Sequence, residues 1–179
     1  MSLAADDYIF FWKTNERYGW ASQWYPSPFT ATVTIDGEEQ SHTFPSAEHW
    51  MMAQKALLFS DADVAKEVLA ISGSTSGDMA AVKALGRQVS NFDDATWKAN
   101  RMKIVVEGNL HKFRQDEELK AQLLATGEKR LVEASPRDRI WGVGFGEKNA
   151  LSQKERWGLN LLGEALEEAR KILKAEVVI

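Results

Sequence analysis

FTATVTIDGEEQSHTFPSAEHWMMAQKALLF, residues 29–59, changes its periodicity halfway along. From Phe29 to Ile35 apolar side chains alternate with threonine, the two-residue period of a strand with one buried face. Asp36-Gly37 is a turn pair, and SHTF (41–44) resumes the β-forming pattern, so the first half reads as a hairpin. Pro45 and Ser46 then open a helix. Ser46 is the candidate cap, and Glu48 falls in the first turn, where the helix dipole favours an acid.

That helix carries two charges in unexpected company. Side chains three and four positions apart are neighbours on a helix. For Lys55 these are Met51, Met52, Leu58 and Phe59, and for Glu48 they are Phe44, Pro45, Met51 and Met52. Seven positions make almost two turns, so Glu48 and Lys55 share a face, separated by about 10 Å of rise. A reacting group fits between them. The plain alternative is a pair of solvated charges at the edge of an amphipathic helix.

Outward from this stretch the pattern stays continuous. YIFFW (8–12) reads as a short buried strand, and Asn15 to Pro28, rich in Gly, Pro and aromatics, as a structured loop. Helices fit 61–71, 77–86, 93–113 and 115–125, the last stopping at Thr126-Gly127. KRLVEAS is a strand, WGVGFG a glycine-rich loop after Pro136, and 158–174 a final helix with Leu159, Leu162, Leu166 and Leu173 on one stripe. With no repeat and no long linker, the expectation is one compact, mostly helical α+β domain over 1–179, its core about 8–174, with a small β-sheet or hairpin.

Composition narrows the chemistry. Hydrophobic residues at 44% and charged residues at 27% are ordinary for a globular chain of 179 residues. Seven Trp, eight Phe and three Tyr can fill a core or wall a site for a planar ligand. The absence of cysteine excludes disulfides, thiolate nucleophiles and zinc-thiolate sites. A net charge of −4 argues against a strong non-specific grip on nucleic acid, though not against a local basic pocket. MSLAADDYIFFW has neither the basic region nor the apolar run of a signal peptide or membrane span. No membrane partner is expected.

Several familiar motifs are missing. His42, His49 and His111 lie on three segments with no HExxH pairing, so no metal and no cofactor is expected. Gly142, Gly144 and Gly146 match neither the Walker nor the dinucleotide spacing. WKANRMK and HKFRQ read first as solvated helix faces with Trp97 and Phe113 packed inward.

Taken in order, however, seven stretches form a recognisable series: YGWASQWYPSPF, PSAEHWMMAQKA, ALGRQV, the set Trp97, Arg101 and Phe113, LLATG, LVEASPRDRIWGVG and GLNLLGEALEEAR. Over roughly Tyr8 to Arg170 the chain resembles the NADAR family of YbiA-like N-glycosidases. That family's hallmark loop reads Ser-Asn-Phe; here it is Ser22-Gln23-Trp24, an amide still followed by an aromatic. EKNALSQKER before Trp157 looks longer than in compact bacterial members and resembles the eukaryotic branch.

The resemblance implies cleavage of a ribosyl N-glycosidic bond. The expected substrate is ADP-ribose attached to guanine, in a nucleoside or in ADP-ribosylated DNA or RNA. The alternatives are ribosylated aminopyrimidines of riboflavin synthesis, or a reader that binds ADP-ribose or NAD without turnover. It implies Glu48, Lys55 and Asp138 as catalytic residues. It implies Ser22, Gln23, Trp24, Trp97, Arg101, Trp141, Gly142 and Asn160 as substrate contacts, Trp97 by stacking on a base. A cytoplasmic location is expected, or a nuclear one in a eukaryote.

Two mechanisms suit these residue types. Breaking the bond builds oxocarbenium character at the anomeric carbon, which a carboxylate stabilises. A lysine in an apolar pocket has its pKa lowered, so its neutral amine can attack that carbon and form an imine. In the second mechanism Glu48 activates water and Lys55 positions hydroxyls or phosphate. Asp138 is then a second acid/base, a ribose-hydroxyl acceptor, or simply a loop cap.

Overall fold

The computed structural model describes residues 4–177. In chain order they form β1 (Tyr8–Phe11), a 3-10 turn (Gly19–Ala21), β2 (Phe29–Ile35), β3 (Glu38–Phe44), α1 (Ala47–Leu58), α2 (Ala62–Ala70), α3 (Ser76–Gly86) and α4 (Asp94–Arg114). Then follow α5 (Glu117–Ala125), β4 (Arg130–Glu133), α6 (Glu147–Ala150), a 3-10 segment (Leu151–Arg156) and α7 (Leu161–Val177). The expected α+β class, mostly helical with little sheet, is what the chain adopts. Two compact units make it up, Gln23–Gln115 and the residues flanking that stretch on either side.

In the central unit, β2 and β3 pair antiparallel from Phe29↔Phe44 to Ile35↔Glu38. Asp36 and Gly37 both take positive φ (53° and 79°), the turn geometry that matches the twist of a hairpin. Phe29, Ala31, Val33 and Ile35 are buried while the intervening threonines are exposed, as the alternation requires. Ser46 then caps α1, its Oγ accepting from the His49 amide at 3.3 Å. α1 packs against α2, α3 and α4. Trp50 fixes the approach of α1 to α4. Its indole N–H donates to the Ile104 carbonyl at 3.0 Å, and a Cβ on Gly108 would lie 2.5 Å from its ring. A glycine in the middle of α4 therefore costs helix propensity and lets the tryptophan seat. Around Trp50 stand Phe44 and His111, with centroids at 5.2 and 5.0 Å.

In the flanking unit, β1 and β4 form a parallel pair, Tyr8↔Arg130 to Phe11↔Glu133. A parallel pair needs a long connection, and the whole of Gln23–Gln115 lies between the two strands in sequence. α7 packs on β4 and on α5, burying Leu162, Leu166, Ala169 and Leu173. Leu159 does not belong to that stripe: it precedes the helix and is 54% exposed. The reason is Asn160, whose φ of 53° cannot continue a right-handed helix, so α7 starts at Leu161 rather than 158. EKNALSQKER, which has no strong periodicity, folds as α6 and the 3-10 segment. Trp157 closes it, donating its indole N–H to the Ala150 carbonyl at 2.7 Å. Among the described residues no helix is long and apolar enough to cross a membrane.

Candidate active site

The central unit brings Gln23, Glu48, Lys55 and Trp97 into one neighbourhood around α1. Glu48, in the first turn, is only 6% exposed. Its backbone N–H, one of those a helix start leaves without an intrahelical acceptor, donates to the Gln23 carbonyl at 3.1 Å. Gln23 is itself buried. Its Oε1 accepts from Asn109 Nδ2 at 3.0 Å, and its Nε2 lies 3.9 Å from Met51 Sδ. Asn109, fully buried on α4, also donates to the Val105 carbonyl at 2.9 Å. The loop residue preceding Trp24 is thus tied to α1 and α4. Trp24 is half-buried.

Lys55, almost two turns along the same face of α1 from Glu48, is half-buried. Its Nζ lies over the Phe92 ring at 4.9 Å and over the Trp97 ring at 5.4 Å. Burial holds its pKa below the ordinary lysine value, and the Arg87 cation pushes the same way, while the Glu48 carboxylate acts in the opposite sense. Aromatic faces favour the ammonium form, so the rings too oppose the lowering. Burial and a neighbouring cation are the two ways a lysine becomes a nucleophile near neutral pH. Arg87, which caps the end of α3, is the residue that sequence reasoning missed here, although it stands in the ALGRQV stretch. Nothing in sequence spacing relates it to Lys55.

Trp97 is 8% exposed and Arg101 half-buried. They are four apart on α4 and so share a face, which puts the Arg101 cation one turn along from the ring that meets the amine.

The remaining candidates lie in the flanking unit. Ser22, buried, ends the 3-10 turn, its N–H donating to the Gly19 carbonyl at 3.0 Å. Asp138 Oδ1 accepts from the Ile140 and Trp141 amides at 2.9 and 2.8 Å, which is the turn-capping geometry of an aspartate. Its Oδ2 takes no hydrogen bond from the described residues. The neighbouring arginine does not pair with it, because Arg139 donates instead to the Arg156 carbonyl at 2.7 Å. Gly142 sits where a Cβ would come within 2.9 Å of the Asp138 and Glu133 carbonyls, so only glycine fits the approach. Asn160 Oδ1 accepts from the Glu133 amide and its Nδ2 donates to the Leu131 carbonyl, both at 3.0 Å. Its side-chain amide therefore clasps β4. Trp141, half-buried, follows Asp138 on the same loop.

In the central unit a hairpin leads into a helix that carries a buried acid and a half-buried amine. The NADAR domain model matches residues 10–174, and the chain belongs to the NADAR family. It is 40% identical to the N-glycosidase R617 of Acanthamoeba polyphaga mimivirus over 174 residues, 94% of this chain and 98% of that one. To the N-glycosidase YbiA of Escherichia coli it is 32% identical over 171 residues, 96% of this chain and 91% of that one. The NMR structure of E. coli YbiA superposes with a TM-score of 0.72 at 29% identity, over 98% of this chain and 90% of that one. A riboflavin biosynthesis protein of Vibrio vulnificus is 31% identical over 136 residues, 76% of this chain but 33% of its own length.

Proposed function

We propose that this protein is an N-glycosidase that removes ADP-ribose from guanine bases through covalent capture of the sugar on Lys55. The observation that carries the reading is the place of that amine: half-buried on the helix that also buries Glu48, with its Nζ over the Phe92 and Trp97 rings, where burial and the Arg87 cation lower its pKa. A binding module has no use for such an amine. A covalent glycosidase does.

The step balances with these groups. The neutral amine bonds to C1 as the bond from C1 to the base nitrogen breaks, and the base departs with a proton from the Glu48 carboxyl. Transfer of one proton from that nitrogen to the ring oxygen breaks the bond from C1 to the ring oxygen and opens the sugar to a protonated imine. Water, deprotonated by the Glu48 carboxylate, then adds to that carbon, and collapse releases the sugar and restores the amine. If Lys55 instead only positions the sugar, Glu48 directs water to C1 in a single displacement.

Arg101 and Arg87 support a phosphate-bearing sugar. Neither guanidinium forms a hydrogen bond or ion pair with the described residues, and guanidinium matches phosphate geometry. In this reading Asp138 has the role of accepting a hydroxyl or a proton from substrate through its Oδ2. Its Oδ1 and the amide of Asn160 hold loop and strand instead. The Vibrio relative's name favours a second reading, a ribosylated aminopyrimidine as substrate.

Incubation with ADP-ribosylated guanosine and a guanine-modified oligonucleotide, with mass detection of free ADP-ribose, tests the proposal. A parallel reaction with the ribosylaminopyrimidine separates the two substrates. Release from neither, alongside retained ADP-ribose binding, would make the protein a reader.

A further inference from the structure

We propose that Phe92 is the wall against which the leaving base stacks, and so the residue that selects a planar aromatic leaving group. The inference rests on the glycosidase reading above and adds to it a specificity residue that no motif singles out.

Phe92 is 46% exposed, yet it is held from both sides. Before it, the Ser90 amide donates to Asp61 Oδ2 at 2.8 Å, and the other oxygen of that carboxylate caps α2 through the Val64 amide. Asn91 takes a left-handed φ of 61°, which turns the chain sharply just ahead of the ring. After it, Asp93 Oδ2 caps α4, accepting from the Thr96 amide at 2.9 Å. The ring itself rests against Phe59, with centroids 5.3 Å apart at a tilt of 56°. Half of a large apolar ring is therefore exposed on a fixed support, beside the reactive amine.

Distances decide what such a ring meets. An attacking amine stands about 3–3.5 Å from its carbon in a reactive complex. The leaving base is bonded directly to that carbon, so a ring 4.9 Å from the amine is within stacking reach of the base. Trp97, the other ring at the amine, is 8% exposed and has little surface left to offer. Stacking on an aromatic face tolerates any base, so such a wall selects planarity rather than one hydrogen-bonding pattern.

The test compares Phe92→Leu and Phe92→Trp with the wild-type protein. KM and kcat are measured on whichever ribosyl-base substrate the wild type cleaves, and the inhibition constant of free ADP-ribose, which lacks the leaving base, is measured beside them. Leucine keeps an apolar contact to Phe59 but has no π face. Phe92→Leu should raise KM about tenfold, leave inhibition by ADP-ribose unchanged, and be rescued by Phe92→Trp. An unchanged KM would overturn the inference, and so would equal weakening of substrate and ADP-ribose, which would place the ring under the adenine end. Rescue by tryptophan excludes misfolding as the cause. Wild-type protein that cleaves no substrate overturns the glycosidase reading itself and takes this inference with it, whereas active wild type with an indifferent Phe92→Leu refutes only the inference.

Discussion

The backbone amide of Glu48 donates to the Gln23 carbonyl at 3.1 Å, so the first turn of α1 is tied to the loop before β2 by one backbone hydrogen bond. Asn109 holds the other end of that loop residue from α4. Asn109→Ala should remove the restraint on Gln23 and leave its buried oxygen without the donor. A loss of about 1–3 kcal/mol is expected, read by urea unfolding. Turnover should fall as well, because Gln23 positions the first turn that carries Glu48. Undiminished turnover at full folding would reduce Asn109 to a core residue.

Glu48→Gln tests the acid directly. The amide keeps the shape and the helix start but can neither give nor take the proton. Turnover should drop roughly 10²-fold or more while the melting transition stays close to that of the wild type. A near-normal rate would return Glu48 to the role of a first-turn acid.

Much of this arrangement was legible in sequence, and the limits are physical. The hairpin, its Asp36-Gly37 turn and the Ser46 cap are local devices, and local periodicity exposes them. The shared face of Glu48 and Lys55 follows from helix geometry alone. Arg87 and Phe92 reach Lys55 through tertiary packing, more than thirty residues away, which no spacing rule encodes. The parallel pairing of β1 with β4 was hidden for the same reason. Asn160 broke the expected helix start because its left-handed backbone leaves no trace in the leucine periodicity that drew the boundary.

Acid should destabilise the central unit through its histidines. His49 is buried, its Nδ1 2.7 Å from Ser46 Oγ, and desolvation lowers its pKa. His111 is lowered too, chiefly by burial and further by Arg114. A base whose folded pKa lies below its unfolded value binds more protons when unfolded, so stability rises with pH between the two values. Above about pH 6.5 both states are neutral and the effect is gone. Unfolding free energy should therefore fall as pH drops below that value, and His49→Gln should flatten the slope if it folds. An unaltered slope in a folded variant would assign the effect elsewhere.

Asp138 separates charge from cap. Asp138→Asn retains an oxygen that can accept from the Ile140 and Trp141 amides, whereas Asp138→Ala does not. If the charge serves the reaction, both variants should lose activity with the loop intact in the asparagine form. If the cap is all that matters, asparagine should preserve activity and alanine reduce it. Steady-state rates together with amide exchange at Trp141 distinguish the two.

Lys55 decides the mechanism. Borohydride added during turnover should fix the sugar to the protein, and mass spectrometry should place the adduct on the peptide containing Lys55. Lys55→Arg should be inactive, since guanidinium stays protonated and cannot attack C1. Lys55→Met should be inactive yet folded, because its apolar chain of similar length suits a site bounded by Phe92 and Trp97. Arg87 supplies the graded version of the test. Its cation pushes the Lys55 pKa down, so Arg87→Ala should raise that pKa and move the pH dependence of adduct formation to higher pH. Glu48 acts with the opposite sign, so in Glu48→Gln the capture of added ribose 5-phosphate under cyanoborohydride should shift to lower pH. Opposite shifts in the two variants would tie the nucleophile to this amine. If no adduct forms and Lys55→Arg retains most activity, Lys55 acts as a fixed positive charge and water directed by Glu48 carries the displacement.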